Sequence, residues 1–355
     1  MKTLFPASLL FALAAALPAP VSAQQPKVSN AQVKVEALDG GLSATVDRIR
    51  HSADRVWIGY QIAALPGHHI AACSDWNHSD NNSDDCCGEF RLEDDQETHV
   101  NREPQEPQNV YVLLRYEKAS PVRVRIAGAG CRLNAGGVNF SWLPQVTPQD
   151  SLALLATLVN QQADDHRVME GALFAISAHA APEATSTLVQ IATSASSEHL
   201  REQAAFWLGV QRGHEGFLAL KSLEEKWSGD ARLREKLTFD FSQNSDPGAE
   251  DELIRMAKND PEAKVRGQAL FWIAQKAGKH ATQTLTESIQ NDPETDVKKK
   301  AVFALSQLPK DEGVPQLIHV AETNTNPAVR KDAYFWLGQS QDPRALAFLE
   351  QVLKR

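Results

Sequence analysis

Cysteine is scarce in this chain of 355 residues, and its four copies, Cys73, Cys86, Cys87 and Cys131, all precede residue 132. Nothing after Cys131 can be held by a disulfide or by a thiolate-bound metal. Basic residues are outnumbered, 36 Lys and Arg against 45 Asp and Glu, for a net charge of −9. An acidic chain has no electrostatic reason to bind nucleic acid, which needs basic surface, so that class is set aside. Long apolar runs are missing beyond the first residues, so no later stretch reaches the roughly 20 apolar residues that a helix needs to span a bilayer. GxSxG, HExxH, a Walker loop and a dinucleotide fingerprint are all absent. The expectation is a protein that is not an enzyme, carries no cofactor and does not span a membrane.

Residues 1–23 have the grammar of a secretory leader. Lys2 supplies the positive start, Leu9-Leu10-Phe11-Ala12-Leu13 the apolar middle, and Val21-Ser22-Ala23 a small-residue cleavage site before Gln24. A membrane anchor is disfavoured because the run is short and interrupted by Pro18 and Pro20. No cysteine lies near the cut, so a lipid anchor is not expected. The mature protein is expected to be periplasmic or secreted.

Residues 24–143 read as a β-rich domain. Gln32–Leu38 and Pro121–Ile126 alternate, Val56–Ile62 and Val110–Leu114 are β-rich runs, and Val138–Leu143 suits a last strand. Gly40-Gly41, Pro66-Gly67 and Gly136-Gly137 supply turns, Leu42 to His51 suits a short helix, and the pairing is expected to be mostly antiparallel. In an exported chain the four cysteines suggest two disulfides with three possible connectivities. A bond between the adjacent Cys86 and Cys87 is strained, which leaves Cys73 with one of that pair and Cys131 with the other. The stretch 68–106 is strongly acidic and carries His68, His69, His78 and His99. It has neither EF-hand spacing nor a CxxC pair, so a solvated acidic loop tied down by disulfides is expected over a metal site.

Thr147-Pro148-Gln149-Asp150 opens a helix within a linker and capping segment, 144–165. From 166 to 355 a period of 32 or 33 residues recurs six times, anchored at Val168, Leu200, Leu233, Val265, Val297 and Val329. Eight residues after each anchor stands a large apolar residue (Ile176, Leu208, Phe241, Ile273, Leu305, Leu337), and twenty after it a leucine (Leu188, Leu220, Leu253, Leu285, Leu317, Leu349). Offset four is alanine in five copies and Leu237 in the other. Offsets zero, four, seven and eight share one helical arc, and pairs such as Asp260-Pro261 and Asp342-Pro343 break and restart helices. One hairpin cannot bury its apolar face alone, so the copies must stack into an α-solenoid.

The pattern Val329, Arg330, Ala333, Leu337, Gly338, then Asp342, Pro343, Arg344, Ala345 and Leu349 resembles the short bacterial HEAT repeat of phycobilisome-lyase-like proteins. The whole arrangement is also similar to exported bacterial HEAT-repeat proteins with a cysteine-containing N-terminal region. The resemblance covers 166–355, and the fold expected for the whole chain is mainly α, a right-handed solenoid of six two-helix repeats after a small β-rich domain that the cysteine count suggests is disulfide-stapled. It implies protein binding and no particular chemistry. Some HEAT-like enzymes hold iron with repeated His-Glu pairs on inner helices. Here one pair, His214-Glu215, falls in a breaker, and a single pair cannot assemble that site.

Offset six is phenylalanine in every copy: Phe174, Phe206, Phe239, Phe271, Phe303 and Phe335. It points about 150° from the core arc, toward a polar side of the helix. The rings either seal the joints between first helices or form a stripe for a partner. Trp207, Trp272 and Trp336 at offset seven lie nearer the core arc and are expected inside it. Arg201, Arg234, Arg266, Lys298 and Arg330 at offset one are expected to pair with acids of the preceding inter-repeat turn, such as Asp230, Glu262 or Asp296. The sequence therefore points to a non-catalytic scaffold for an unidentified protein partner in the bacterial cell envelope, with second helices lining its concave face. The alternative is a metal-dependent or ligand-sensing envelope factor built on 68–106.

Overall fold

The computed structural model describes residues 25–66, 89–94, 108–161, 165–276 and 280–354. The expected leader and most of the acidic stretch lie outside them. Up to Leu143 the chain forms β1 (Lys27–Ser29), β2 (Val33–Val35), α1 (Leu42–Arg50), β3 (Arg55–Ala63), β4 (Glu89–Arg91), β5 (Asn109–Glu117), β6 (Ser120–Gly128), β7 (Arg132–Asn134) and β8 (Asn139–Leu143). The larger sheet has the order β2-β8-β3-β5-β6 and the smaller one β1-β7-β4. Among the described residues the expectation of mostly antiparallel pairing does not hold: of their six strand pairings two, β3–β5 and β5–β6, are antiparallel, because β8 returns to lie parallel between β2 and β3, and β7 lies parallel between β1 and β4.

Alternation along β3, β5 and β6 sends side chains to two buried faces. Ile58, Tyr60, Val112, Leu114, Val124 and Ile126 join the helices, whereas Trp57, Tyr111, Leu113 and Ala127 join the smaller sheet. Arg115, Arg123 and Arg125 are buried on this second face. Arg115 Nε donates to Glu93 Oε1 at 2.8 Å, and Arg125 Nη1 donates to the carbonyls of Arg91, Leu92 and Asp94 at 2.8, 3.0 and 3.2 Å. The Arg125 guanidinium also lies 4.3 Å from the Phe90 ring centroid, so one side chain fastens β4 and the turn after it.

Thr147 opens α2 (Pro148–Gln161), its Oγ1 accepting from the Asp150 N–H at 3.1 Å. Six hairpins follow: α3 (His166–Ala178) with α4 (Glu183–Ser194), α5 (Glu198–Gln211) with α6 (Gly213–Lys226), α7 (Ala231–Gln243) with α8 (Gly248–Asn259), α9 (Ala263–Lys276) with α10 (Ala281–Asn291), α11 (Thr295–Gln307) with α12 (Lys310–Thr323), and α13 (Pro327–Gln339) with α14 (Pro343–Leu353). The six anchors, the offset-four residues and the offset-eight residues are all buried, as are the offset-twenty leucines apart from the half-buried Leu349. Asp165, Asp230, Asn326 and Asp342 cap α3, α7, α13 and α14 with their side chains.

The offset-one cations are structural, but their acidic partners lie in the following turn. Arg234 forks onto Asp260 at 2.8 and 3.1 Å and Arg266 onto Asp292 at 2.7 and 3.0 Å, while Arg201 and Arg330 donate to carbonyls of the turn before their own helix and Lys298 to the Gln290 carbonyl at the end of α10. A planar guanidinium reaches the carboxylate of one turn and the carbonyls of another, and so ties consecutive repeats. First helices also pack closer to one another than second helices do. A stack bends toward its closer-packed layer, so the first helices, not the second, line the inside of the curve.

A candidate functional site on the first-helix face

The phenylalanine column and the tryptophans form one aromatic ladder along this inner layer. Each Phe-Trp dipeptide, at 206–207, 271–272 and 335–336, presents its tryptophan to the phenylalanine of the preceding repeat. The centroids of Phe174 and Trp207 lie 4.9 Å apart, those of Phe239 and Trp272 4.8 Å, and those of Phe303 and Trp336 4.9 Å. Its phenylalanine stacks on the next repeat: Phe206 on Phe239 at 6.0 Å, and Phe271 on Phe303 at 6.2 Å. Within the dipeptides the rings meet edge to face at 5.1, 4.8 and 5.0 Å. Nine rings are thus continuous from Phe174 to Phe335.

The ladder is graded in exposure. Phe174 is 4% exposed, Phe206, Phe239, Phe271 and Phe303 are half-buried, and Phe335 is 56% exposed. Trp207 is core, as expected. Trp272 and Trp336 are half-buried and belong to the ladder instead. The sequence signal that identifies the ladder is an alternation of Phe-Trp with Phe followed by Ala or Asp, repeat by repeat. Polar side chains flank it, and several pair between helices: Glu198 with Arg232 at 2.9 Å, Glu202 with Lys236 at 3.9 Å and Lys299 with Asp332 at 3.6 Å.

At the sheet end of this face the charges are less balanced. His166 Nδ1 lies 3.5 Å from Glu170 Oε1, one turn along α3, and the His166 ring meets that of His199 on α5 at a centroid distance of 5.5 Å. One donor atom from each of the three lies within 4.8 Å of the others. Glu170 Oε2 and His199 Nε2 are buried without a hydrogen-bond partner. One repeat further, Asp240 is 3% exposed with Oδ2 unpartnered, and burial followed by the charge of Glu202 pushes its carboxyl well above the usual range. Sequence spacing did not expose the trio, because His166 and His199 are one period apart but in slightly different registers.

The other expected sites resolve differently. Cys73, Cys86 and Cys87 lie outside the described residues, so the disulfide pairing falls there too, while Cys131 is buried in the smaller core cluster. Of the acidic stretch, 89–94 is described, and Glu93 is turned inward to Arg115 and to Trp57 Nε1, the latter at 2.6 Å. His214 is not in a breaker loop but in the first turn of α6. Its Nδ1 lies 2.6 Å from Asp246 Oδ2, and that hydrogen bond holds the Asp246 carboxyl below its usual range. A groove of about 420 Å³ on the second-helix side is lined mostly by charged residues, and these pair among themselves: Arg255 with Glu224 and Glu252, Arg234 with Asp260.

Residues 282–355 match the protein family described as HEAT repeats. No curated protein matches the chain in sequence. Among solved structures, human deoxyhypusine hydroxylase in complex with glycerol is 18% identical, with 56% of this chain and 88% of that chain covered and a TM-score of 0.30. The complex of CpcE and CpcF of phycocyanin lyase from Nostoc sp. PCC7120 is 14% identical, with 58% and 94% covered and a TM-score of 0.28. At these TM-scores neither likeness bears on function. The class defined here is an α-solenoid of two-helix repeats, its last repeats matching HEAT repeats, joined to a β-rich region.

Proposed function

We propose that the protein is a non-catalytic scaffold that binds a protein partner along its first-helix face, in the bacterial cell envelope. The carrying observation is the ladder of nine rings, which opens from a buried end at Phe174 to an exposed end at Phe335 on an otherwise polar side. Stacked aromatics present a large, rigid apolar surface at little entropic cost, the property that binding hot spots share. Export rests on the leader-like residues 1–23, and stapling of the β-rich region on the confinement of the four cysteines to it. Cross-linking capture from envelope extract with the full chain tests the reading, with Phe335→Asp as the parallel bait. A saturable partner held by the natural chain and lost with Phe335→Asp is expected. Equal capture by both baits would move recognition off the ladder.

A further inference from the structure

His166 and Glu170 are one turn apart on α3, and stacking of the first two repeats brings His199 of α5 against them. The three supply two imidazole nitrogens and one carboxylate, a donor set that suits zinc and its neighbours. A bound ion at about 2.0–2.1 Å from each donor would place the donors roughly 3–3.5 Å apart. The present mutual distances, all within 4.8 Å, therefore need only side-chain rotation to close. His166 Nδ1 and Glu170 Oε1 are already 3.5 Å apart.

A surface ion pair is the simplest alternative, and two observations weigh against it. Glu170 Oε2 and His199 Nε2 are both shut off from solvent with no hydrogen-bond partner, a state proteins avoid. In addition, Glu170 has no lysine or arginine within ion-pair distance among the described residues, whereas Glu198 and Glu202 beside it, each of which also carries a buried oxygen without a hydrogen bond, have Arg232 and Lys236 at 2.9 and 3.9 Å. One cation between the three side chains satisfies the carboxylate charge and the imidazole nitrogen together. The His166 side chain is 63% exposed, which leaves an entry path. We propose that His166, Glu170 and His199 form a binding site for one divalent ion of the zinc type. Three protein ligands leave a tetrahedral ion one open position for water or an incoming ligand. The inference does not depend on the scaffold reading.

The test is titration of the full-length protein, stripped with chelator, with cobalt(II) alone, read by its visible ligand-field absorption and displaced by zinc(II). Glu170→Gln and His199→Ala should each weaken binding by at least about tenfold, the scale on which metal sites respond to loss of a supporting group. The exposed His319→Ala on α12 serves as the control and should leave binding unchanged. Helical circular dichroism checks that each variant is folded, and Glu170→Gln conserves size. No binding overturns the proposal, as does binding that Glu170→Gln and His199→Ala leave intact.

Discussion

Between the larger sheet and the first repeat, three polar side chains are buried together. Ser151 Oγ of α2 lies 2.9 Å from Tyr60 Oη of β3 and 2.9 Å from His179 Nε2, just past the end of α3. His179 Nδ1 is 2.7 Å from the Ala175 carbonyl, which can only accept, so the neutral ring carries its proton on Nδ1 and Nε2 is the acceptor. Arg212 closes the site from the next repeat by donating to the carbonyls of Ser177, His179 and Ala181. Burial at 1% exposure, with Arg212 adding to it against the pull of the Ala175 carbonyl, brings the His179 pKa from 6.5 down to about 4. Between those values the unfolded chain binds the proton that the folded chain refuses, so stability falls as the pH drops through this window and is fully regained above it. At 1.36 kcal/mol per pKa unit, the loss by pH 4 is about 3 kcal/mol. Asp240 acts in the opposite sense, since its raised pKa makes stability fall as the pH rises. The histidine is therefore isolated by comparing urea unfolding of the natural chain and His179→Gln between pH 4 and 7. The variant should show the shallower loss toward acid, and parallel profiles would remove His179 from the account.

At the scale of elements, the ladder's members differ in what they hold. Phe271 and Phe303 stack at 6.2 Å and are half-buried, so truncating either to alanine should cost about 1–2 kcal/mol, roughly half the value of a fully buried ring. Phe335, more than half exposed, should cost less than about 0.5 kcal/mol while affecting capture of the partner. The Phe271→Ala and Phe303→Ala double-mutant cycle should show coupling of about 0.5–1.5 kcal/mol. Strict additivity would mean that the rings do not support one another. These elements were legible in sequence because the anchors, alanines and leucines recur at the helical period and face one core. Which layer lies inside the curve was not legible, since it depends on how closely helices 32 residues apart approach. Strands β1, β4 and β7 were hidden for another reason. Each has three residues, too few for alternation to show, and each pairs parallel with a strand distant in sequence. The histidine–glutamate trio escaped because no single stretch contains it.

For the whole molecule, the decisive contact is that between α3 and β6. The inward face of the larger sheet and the repeat interior form one continuous hydrophobic cluster. Gly171 sets the approach, because a Cβ there would collide with the backbone carbonyl oxygen of Val124. Two effects of Gly171→Ala oppose each other. Alanine favours the helix by about 1 kcal/mol. The obstructing atom, however, is backbone in a paired strand and cannot swing aside, and overpacking of this kind costs about 1–3 kcal/mol or more. The collision should win, and amide hydrogen exchange should show α3 and β6 losing protection together while α11 and α13 keep theirs. Gly338 is the internal comparison, since nothing lies within 4 Å of a Cβ built there. Gly338→Ala should stabilise by a few tenths to about 1 kcal/mol, the helix preference alone. If Gly171→Ala behaved like Gly338→Ala, α3 would be free to lift from β6, and sheet and repeats would be two bodies that touch rather than one that shares a core.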